Sequence, residues 1–241
     1  MALLMKWRSL AEAIPGHDVR PLREQLAERK ANLEKYVPAA TREVYARVVV
    51  QLRQSGIAEG SLRPGAKAPD FELSDHEGKP VGSSTLLERG RLIVCFFRGR
   101  WDPFCCCQME ALNEFVSDYE KAGASLVAIS PQTVQQSYFM HDQHQLYFPL
   151  LSDAGNGVAR QFGLVYRVPE EQQRIYRRVF INLPNANGDE SWELPIPATY
   201  IVDQDGTILY ASADPDHTVR PEPTEILNRL LQFNQNPECR A

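Results

Sequence analysis

Two hydrophobic rhythms divide the chain. Through about residue 60 the apolar positions recur every three or four residues. "VRPLREQLAERKANLEKYV" sets Leu22, Leu26 and Leu33 near one face, among Arg, Glu and Lys. "TREVYARVVVQLRQSG" groups Val44, Val48 and Leu52, with Tyr45 and Val49 beside them. That spacing predicts two helices, with Gly56 as a stop. From Leu62 the texture changes to turn residues and short extended pieces. "RLIVCFF" (Arg91 to Phe97) and "SLVAIS" are continuous apolar runs, the pattern of strands buried on both faces. "CCCQMEALNEFVSDYEKAG" predicts one helix ending at Gly123, and "QTVQQSYFMHDQHQ" and "AGNGVARQFG" predict two more. "PATYIVDQDGTILYAS" reads as two strands joined at Asp205-Gly206, a strong hairpin signal. "PTEILNRLLQF" closes the chain as an amphipathic helix.

Strand, helix, strand, helix, hairpin, helix is an α/β layer order with a mixed sheet. The expected organisation is an N-terminal helical extension over residues 1–60, an α/β domain over 61–236 and a tail over 237–241. Residues 167–197 show no clear period and are expected to form a long surface insertion. The extension is expected to serve packing or dimer formation.

Composition narrows the classes. The chain has 241 residues, 43% hydrophobic and 24% charged, with a formal net charge of −5. A mildly acidic chain lacks the basic stripe of a nucleic-acid binder. Only five apolar residues precede Lys6, too few for a signal-peptide core, and no apolar run reaches membrane-span length. A cytoplasmic protein is therefore expected. The cysteines are Cys95, Cys105, Cys106, Cys107 and Cys239. An odd count with three adjacent members is no disulfide framework, and in a reducing compartment such thiols are inert, catalytic or metal-bound.

The segment "RGRWDPFCCCQME" concentrates the chemistry. Asp102 suits an N-cap and Pro103 the first helical position. Cys105 then falls in the first turn, where free N–H groups and the positive end of the helix dipole gather. Both favour a thiolate, so a lowered pKa is expected, with Arg98 and Arg100 adding positive charge. Cys105 also aligns with Met109, Leu112, Val116 and Tyr119 on an apolar stripe, the position of a small core hydrophobe. Cys106 faces a wetter side and Cys107 a border. Successive helical residues point about 100° apart, so the three sulfurs do not converge on a metal, and no Cys/His spacing matches a zinc site. His141 and His144 share a helix face that is expected to be solvated. Cys95 reads as a strand-core residue and Cys239 as part of a loose tail. No cofactor or metal is expected.

In order along the chain stand "GAKAPDFELSDHEGKPV", "RLIVCFFRGRWDPFC", "LVAISPQT", "FPLLSDAGNGVARQFGL" and "PATYIVDQDGTILYA". Together they resemble the peroxiredoxins of the alkyl hydroperoxide reductase and thiol-specific antioxidant superfamily. The likeness is greatest to a bacterial peroxiredoxin-like group with an N-terminal helical extension and a "SWELPIPATYIVD" segment. The resemblance implies a thioredoxin-like fold and reduction of hydroperoxides by cysteine. It implies a thiol reductant, thioredoxin or a low-molecular-weight thiol, and a homodimer. Cys105 falls on the peroxidatic cysteine, and Trp101, Pro103 and Phe104 match the motif around it. Pro197 falls on the thioredoxin-fold proline that is usually cis and faces the active site. Cys106 and Cys239 are the candidates for a resolving thiol.

The chain also departs from the pattern. Asp102 replaces the first cysteine of the group, so a Cys-x-x-Cys dithiol is missing; peroxiredoxins proper have threonine there and proline in place of Arg98. Their second-strand arginine falls near Pro197 and is absent, which leaves Arg98 or Arg100 as its substitute. Asp102 has two readings: a cap that also repels a thiolate and raises the Cys105 pKa, or an acceptor for the thiol or peroxide proton. Thiol peroxidase is the leading function. The alternatives are a catalytically weakened redox sensor on the same fold and a thiol or soft-metal binder.

Overall fold

The computed structural model describes residue 18 and residues 20–235. Helices α1 (Leu22–Tyr36), α2 (Ala39–Gln54) and α3 (Ile57–Gly60) precede a hairpin of β1 (Glu72–Ser74) and β2 (Pro80–Gly82). Then come α4 (Ser83–Leu87), β3 (Arg91–Phe96), α5 (Pro103–Asn113), α6 (Val116–Lys121), β4 (Ala124–Ser130), α7 (Val134–His144) and β5 (Leu150–Ser152). After a 3₁₀ turn follow α8 (Gly157–Gln161), β6 (Val165–Arg167), α9 (Glu170–Arg178), α10 (Leu183–Asn187), β7 (Glu193–Pro195), β8 (Ala198–Val202), β9 (Ile208–Ala213) and α11 (Pro223–Gln235).

Seven strands form one mixed sheet in the order β2-β1-β5-β4-β3-β8-β9. β3 pairs parallel with β4 and antiparallel with β8. Its continuous apolar run reflects burial on both faces. Leu92, Val94 and Phe96 enter one core layer, while Ile93, Cys95 and Phe97 enter the other with Cys105, Met109, Leu112 and Tyr119. The hairpin at Asp205-Gly206 forms as its sequence predicts, with Gly206 at φ 83°. This is the α/β thioredoxin-like arrangement, a mixed sheet flanked by helices with helices before it.

Three local expectations change. The predicted single helix over 105–123 is two, because Phe115, at φ −105° and ψ 1°, leaves the helical region between α5 and α6. Val116 and Tyr119 still reach the same core as Cys105. The His141/His144 face is not a solvated one. His144 Nδ1 lies 2.8 Å from Glu110 Oε1, and His141 stacks on His76 at 3.5 Å between ring centroids. The 167–197 segment is more than a surface excursion. Val168, Tyr176, Leu183, Trp192 and Leu194 build a small core of their own, against which Tyr45 and Trp101 pack. Its aperiodic sequence reflects two short helices and one short strand, none long enough to show a rhythm.

The extension lies on the helix that carries the cysteines. Leu22 and Leu26 of α1 pack on Phe104 and Cys107. Glu222 accepts hydrogen bonds from the Leu22 and Arg23 N–H groups at 3.0 and 2.7 Å, so a carboxylate stabilises the start of α1. The Cys107 thiol donates to Gln25 Oε1 at 3.3 Å. Cutting Leu26 back to alanine should cost about 2–4 kcal/mol of stability in urea unfolding; an unchanged midpoint would show that α1 does not hold this face.

Candidate active site

The end of β3 and the start of α5 bracket one sulfur. Asp102 caps α5 by accepting the Phe104 N–H on Oδ1 at 3.0 Å, and Pro103 takes the first helical position. Gly99, at φ 141°, makes the turn between strand and helix; a Cβ there would meet Trp101 Nε1 at 2.7 Å. The turn folds Asp102 and the Arg98 backbone over the first helical turn.

Cys105 is fully buried, sealed from solvent but not from polar groups. Its thiol donates to Asp102 Oδ2 at 3.3 Å. Its sulfur accepts from the Arg98 backbone N–H at 3.4 Å and faces Arg220 Nη2 at 3.8 Å. Arg220 is fixed in turn by donation from Nε to Gln108 Oε1 at 2.7 Å. The Arg98 guanidinium donates to the Tyr176 hydroxyl at 2.5 Å, lies 3.5 Å from Asp102 Oδ2, and stacks over the Trp101 ring at 4.8 Å.

The lowered thiol pKa expected from the helix start is not what this site sets. Burial first, and then the Asp102 charge, push the Cys105 thiol up to about 12. Arg220, Arg98 and the Arg98 N–H pull the other way without cancelling them. Burial also works against the Asp102 carboxylate, yet Arg98, Arg220 and the Phe104 N–H hold it below the ordinary carboxylate range. His217, beside Phe104 in an edge-on contact of 5.4 Å, is pushed down to about 3 by burial and by Arg98, so it is neutral. The resting site therefore holds a thiol, a carboxylate and two guanidiniums. One positive charge stays unbalanced until the sulfur ionises.

The other sequence candidates divide. Arg100 points elsewhere: its N–H donates to Gln132 Oε1 and its guanidinium to Gln136 Oε1, each at 2.9 Å. It does not take the place of the missing second-strand arginine, because the turn at Gly99 aims it toward α7. The Cys106 thiol donates to the Arg100 carbonyl at 3.2 Å, and Cys239 lies outside the described residues. Pro197 is buried just before β8, whose Ala198 pairs with Phe96, so it stands at the sheet end that carries the site. Its peptide bond is trans, not cis, since no described peptide is cis. The chain runs extended from β7 into β8, with Ile196 N–H bonded to the Leu164 carbonyl, and a trans bond continues that line.

Sequence reading missed Arg220, Gln108, His217 and Tyr176. Arg220 and Tyr176 are distant in the chain from Cys105, and no spacing signals such contacts. The only hint was a histidine and an arginine together in "DHTVRPEP". Among the described residues, no three His, Cys, Asp or Glu side chains are arranged to hold a metal ion. No described helix is long and apolar enough to cross a membrane.

The geometry has relatives. The family profile for AhpC/TSA matches residues 64–211. A chloroplastic peroxiredoxin Q of Triticum aestivum is 29% identical over 183 residues, covering 76% of this chain and 71% of that protein. A putative peroxiredoxin of Mycobacterium tuberculosis is 30% identical over 150 residues, covering 62% of this chain and 84% of its own. Among solved structures, peroxidoxin BcpB of M. tuberculosis superposes with a TM-score of 0.57 at 23% identity, over 71% of this chain and 98% of that one. The family match spans more than half of the sequence and agrees with the mixed sheet and the cysteine at the helix start: the chain belongs to the AhpC/TSA family, the peroxiredoxins.

Proposed function

We propose that Cys105 is the peroxidatic cysteine of a thiol-dependent peroxidase acting on hydrogen peroxide or organic hydroperoxides. The observation that carries this reading is a single buried sulfur touching a carboxylate, a backbone N–H and a guanidinium. The thiol proton passes to Asp102 Oδ2 as the sulfur attacks the terminal peroxide oxygen. The S–O bond forms as the O–O bond breaks; cysteine is oxidised to a sulfenic acid and peroxide is reduced. The leaving oxygen takes the proton from Asp102 and departs as water or alcohol. Asp102 is thus both cap and proton carrier, and the raised thiol pKa keeps the sulfur quiet until a peroxide can accept that proton.

Arg220 supplies the positive charge for the sulfur and for the leaving oxygen, in the place that the sequence reading gave to Arg98 or Arg100. Arg220→Gln should lower kcat/KM for hydrogen peroxide by about 10²-fold while leaving the thermal midpoint nearly unchanged. A loss below twofold would remove Arg220 from the chemistry.

A second thiol then attacks the sulfenic sulfur, forming a disulfide and releasing water, and a further thiol restores Cys105. Cys106 follows directly on the helix and points about 100° away, so a low-molecular-weight thiol, thioredoxin or Cys239 is the better partner. Work in the cytoplasm, where thiols stay reduced, and assembly as a homodimer complete the reading. The test is peroxide consumption with thioredoxin and its reductase against glutathione. Steady turnover with either supports a peroxidase; oxidation of Cys105 that stops after one equivalent with both would favour a redox sensor.

A further inference from the structure

The Arg98 guanidinium faces two oxygens, of Tyr176 and Asp102, and hydrogen-bonds only the first. It donates to the Tyr176 oxygen at 2.5 Å, whereas its approach to Asp102 Oδ2, at 3.5 Å, is a charge contact without a hydrogen bond. Charge-assisted N–H···O⁻ bonds close to about 2.7–2.9 Å when nothing opposes them. Here something does. Tyr176 is buried, and Gln172 Nε2 fixes its oxygen from the far side at 3.0 Å. Its ring is wedged 5.2 Å from Trp101 and 6.4 Å from Tyr45. As a result the Cys105 thiol is the hydrogen-bond donor found on Oδ2.

We infer that Tyr176 is a positioning residue: its hydroxyl draws the Arg98 guanidinium off Asp102 and leaves Oδ2 free to take the Cys105 proton. The inference rests on the peroxidase reading and deepens it. It also gives the 167–197 insertion a task, since α9 brings the phenol to the site. Without the hydroxyl the buried guanidinium would close on Asp102. That carboxylate would then be a poorer proton carrier and would repel a thiolate less. The other groups that face the pair are unchanged by the substitution: Arg220 and His217 from the loop before α11, Tyr166 from β6 and Tyr45 from α2.

Tyr176→Phe keeps the ring and its packing. The expected result is a split. kcat/KM for hydrogen peroxide falls about tenfold, while alkylation of Cys105 by iodoacetamide at pH 7 speeds up about threefold, with its pH midpoint moved down. Loosening that exposed the buried Cys105 would also speed its alkylation, so the double variant decides between the two. In an Asp102→Asn background the same change should do nothing further, because the partner it acts through is gone. Equal peroxide rates and midpoints in Tyr176→Phe and wild type, or a full tenfold loss that persists without Asp102, would overturn the inference. Cys105→Ser, run alongside, separates the two levels: peroxide turnover surviving that change sinks the peroxidase reading itself, whereas a dead Cys105→Ser beside a wild-type-like Tyr176→Phe sinks only the role of Tyr176.

Discussion

Cys105→Ser should bring peroxide reduction down to the uncatalysed background, a loss of roughly 10⁴-fold or more, with the fold intact. Serine is smaller than cysteine and its hydroxyl can keep the hydrogen bond to Asp102 Oδ2 and accept from the Arg98 N–H. What it lacks is a sulfur that can be oxidised. The parallel changes Cys106→Ser and Cys107→Ser should leave the first oxidation step within about twofold of wild type, because those thiols point to the Arg100 carbonyl and to Gln25. Stopped-flow peroxide consumption distinguishes the three. A loss shared equally among them would mean that no single sulfur is the nucleophile.

Asp102→Asn should produce the second large effect, with two opposite signs. The carboxylate charge is one of the causes that raise the Cys105 thiol. Removing it lowers the pKa, so the thiolate fraction at pH 7 increases and alkylation by iodoacetamide, whose leaving iodide needs no proton, becomes faster. Peroxide cleavage does need a proton on the leaving oxygen, and an amide cannot relay it. That reaction should slow by about 10²–10⁴-fold, the usual worth of a positioned acid–base group. The wild-type peroxide rate should also be flatter with pH than that of the variant, which must draw its proton from water. If peroxide and iodoacetamide rates moved together, Asp102 would act only through the thiol pKa. Part of any loss in stability would reflect the cap, for which about 1 kcal/mol is typical.

Much of this architecture was legible in the residues, and the reasons are specific. β3 announced itself because both of its faces are buried, so no polar residue interrupts Leu92 to Phe97. The start of α5 was legible because Asp102 and Pro103 do locally what an N-cap and a first-turn proline do anywhere. The electrostatics of the sulfur were not. Two readings of Cys105 competed: first-turn position, which lowers a thiol pKa, and membership of the stripe with Met109, Leu112 and Tyr119, which buries it. The stripe governed. Desolvation is the larger influence, and the carboxylate that caps the helix adds to it. Arg220 and Tyr176 escaped because each reaches the site from a loop or a short helix far along the chain, where contact leaves no periodic trace. The aperiodic insertion concealed a wall of the site for the same reason, and the break at Phe115 was invisible because the apolar stripe continues across it.

The most direct test adds one equivalent of hydrogen peroxide to the reduced, folded protein. A dimedone-type reagent then traps any sulfenic acid, and peptide mass spectrometry locates the label. The mechanism described here predicts a single adduct on Cys105, formed in wild type and nearly absent in Asp102→Asn at the same early time. An adduct on Cys106 or Cys107 instead, or no adduct under conditions where peroxide is consumed, would contradict it.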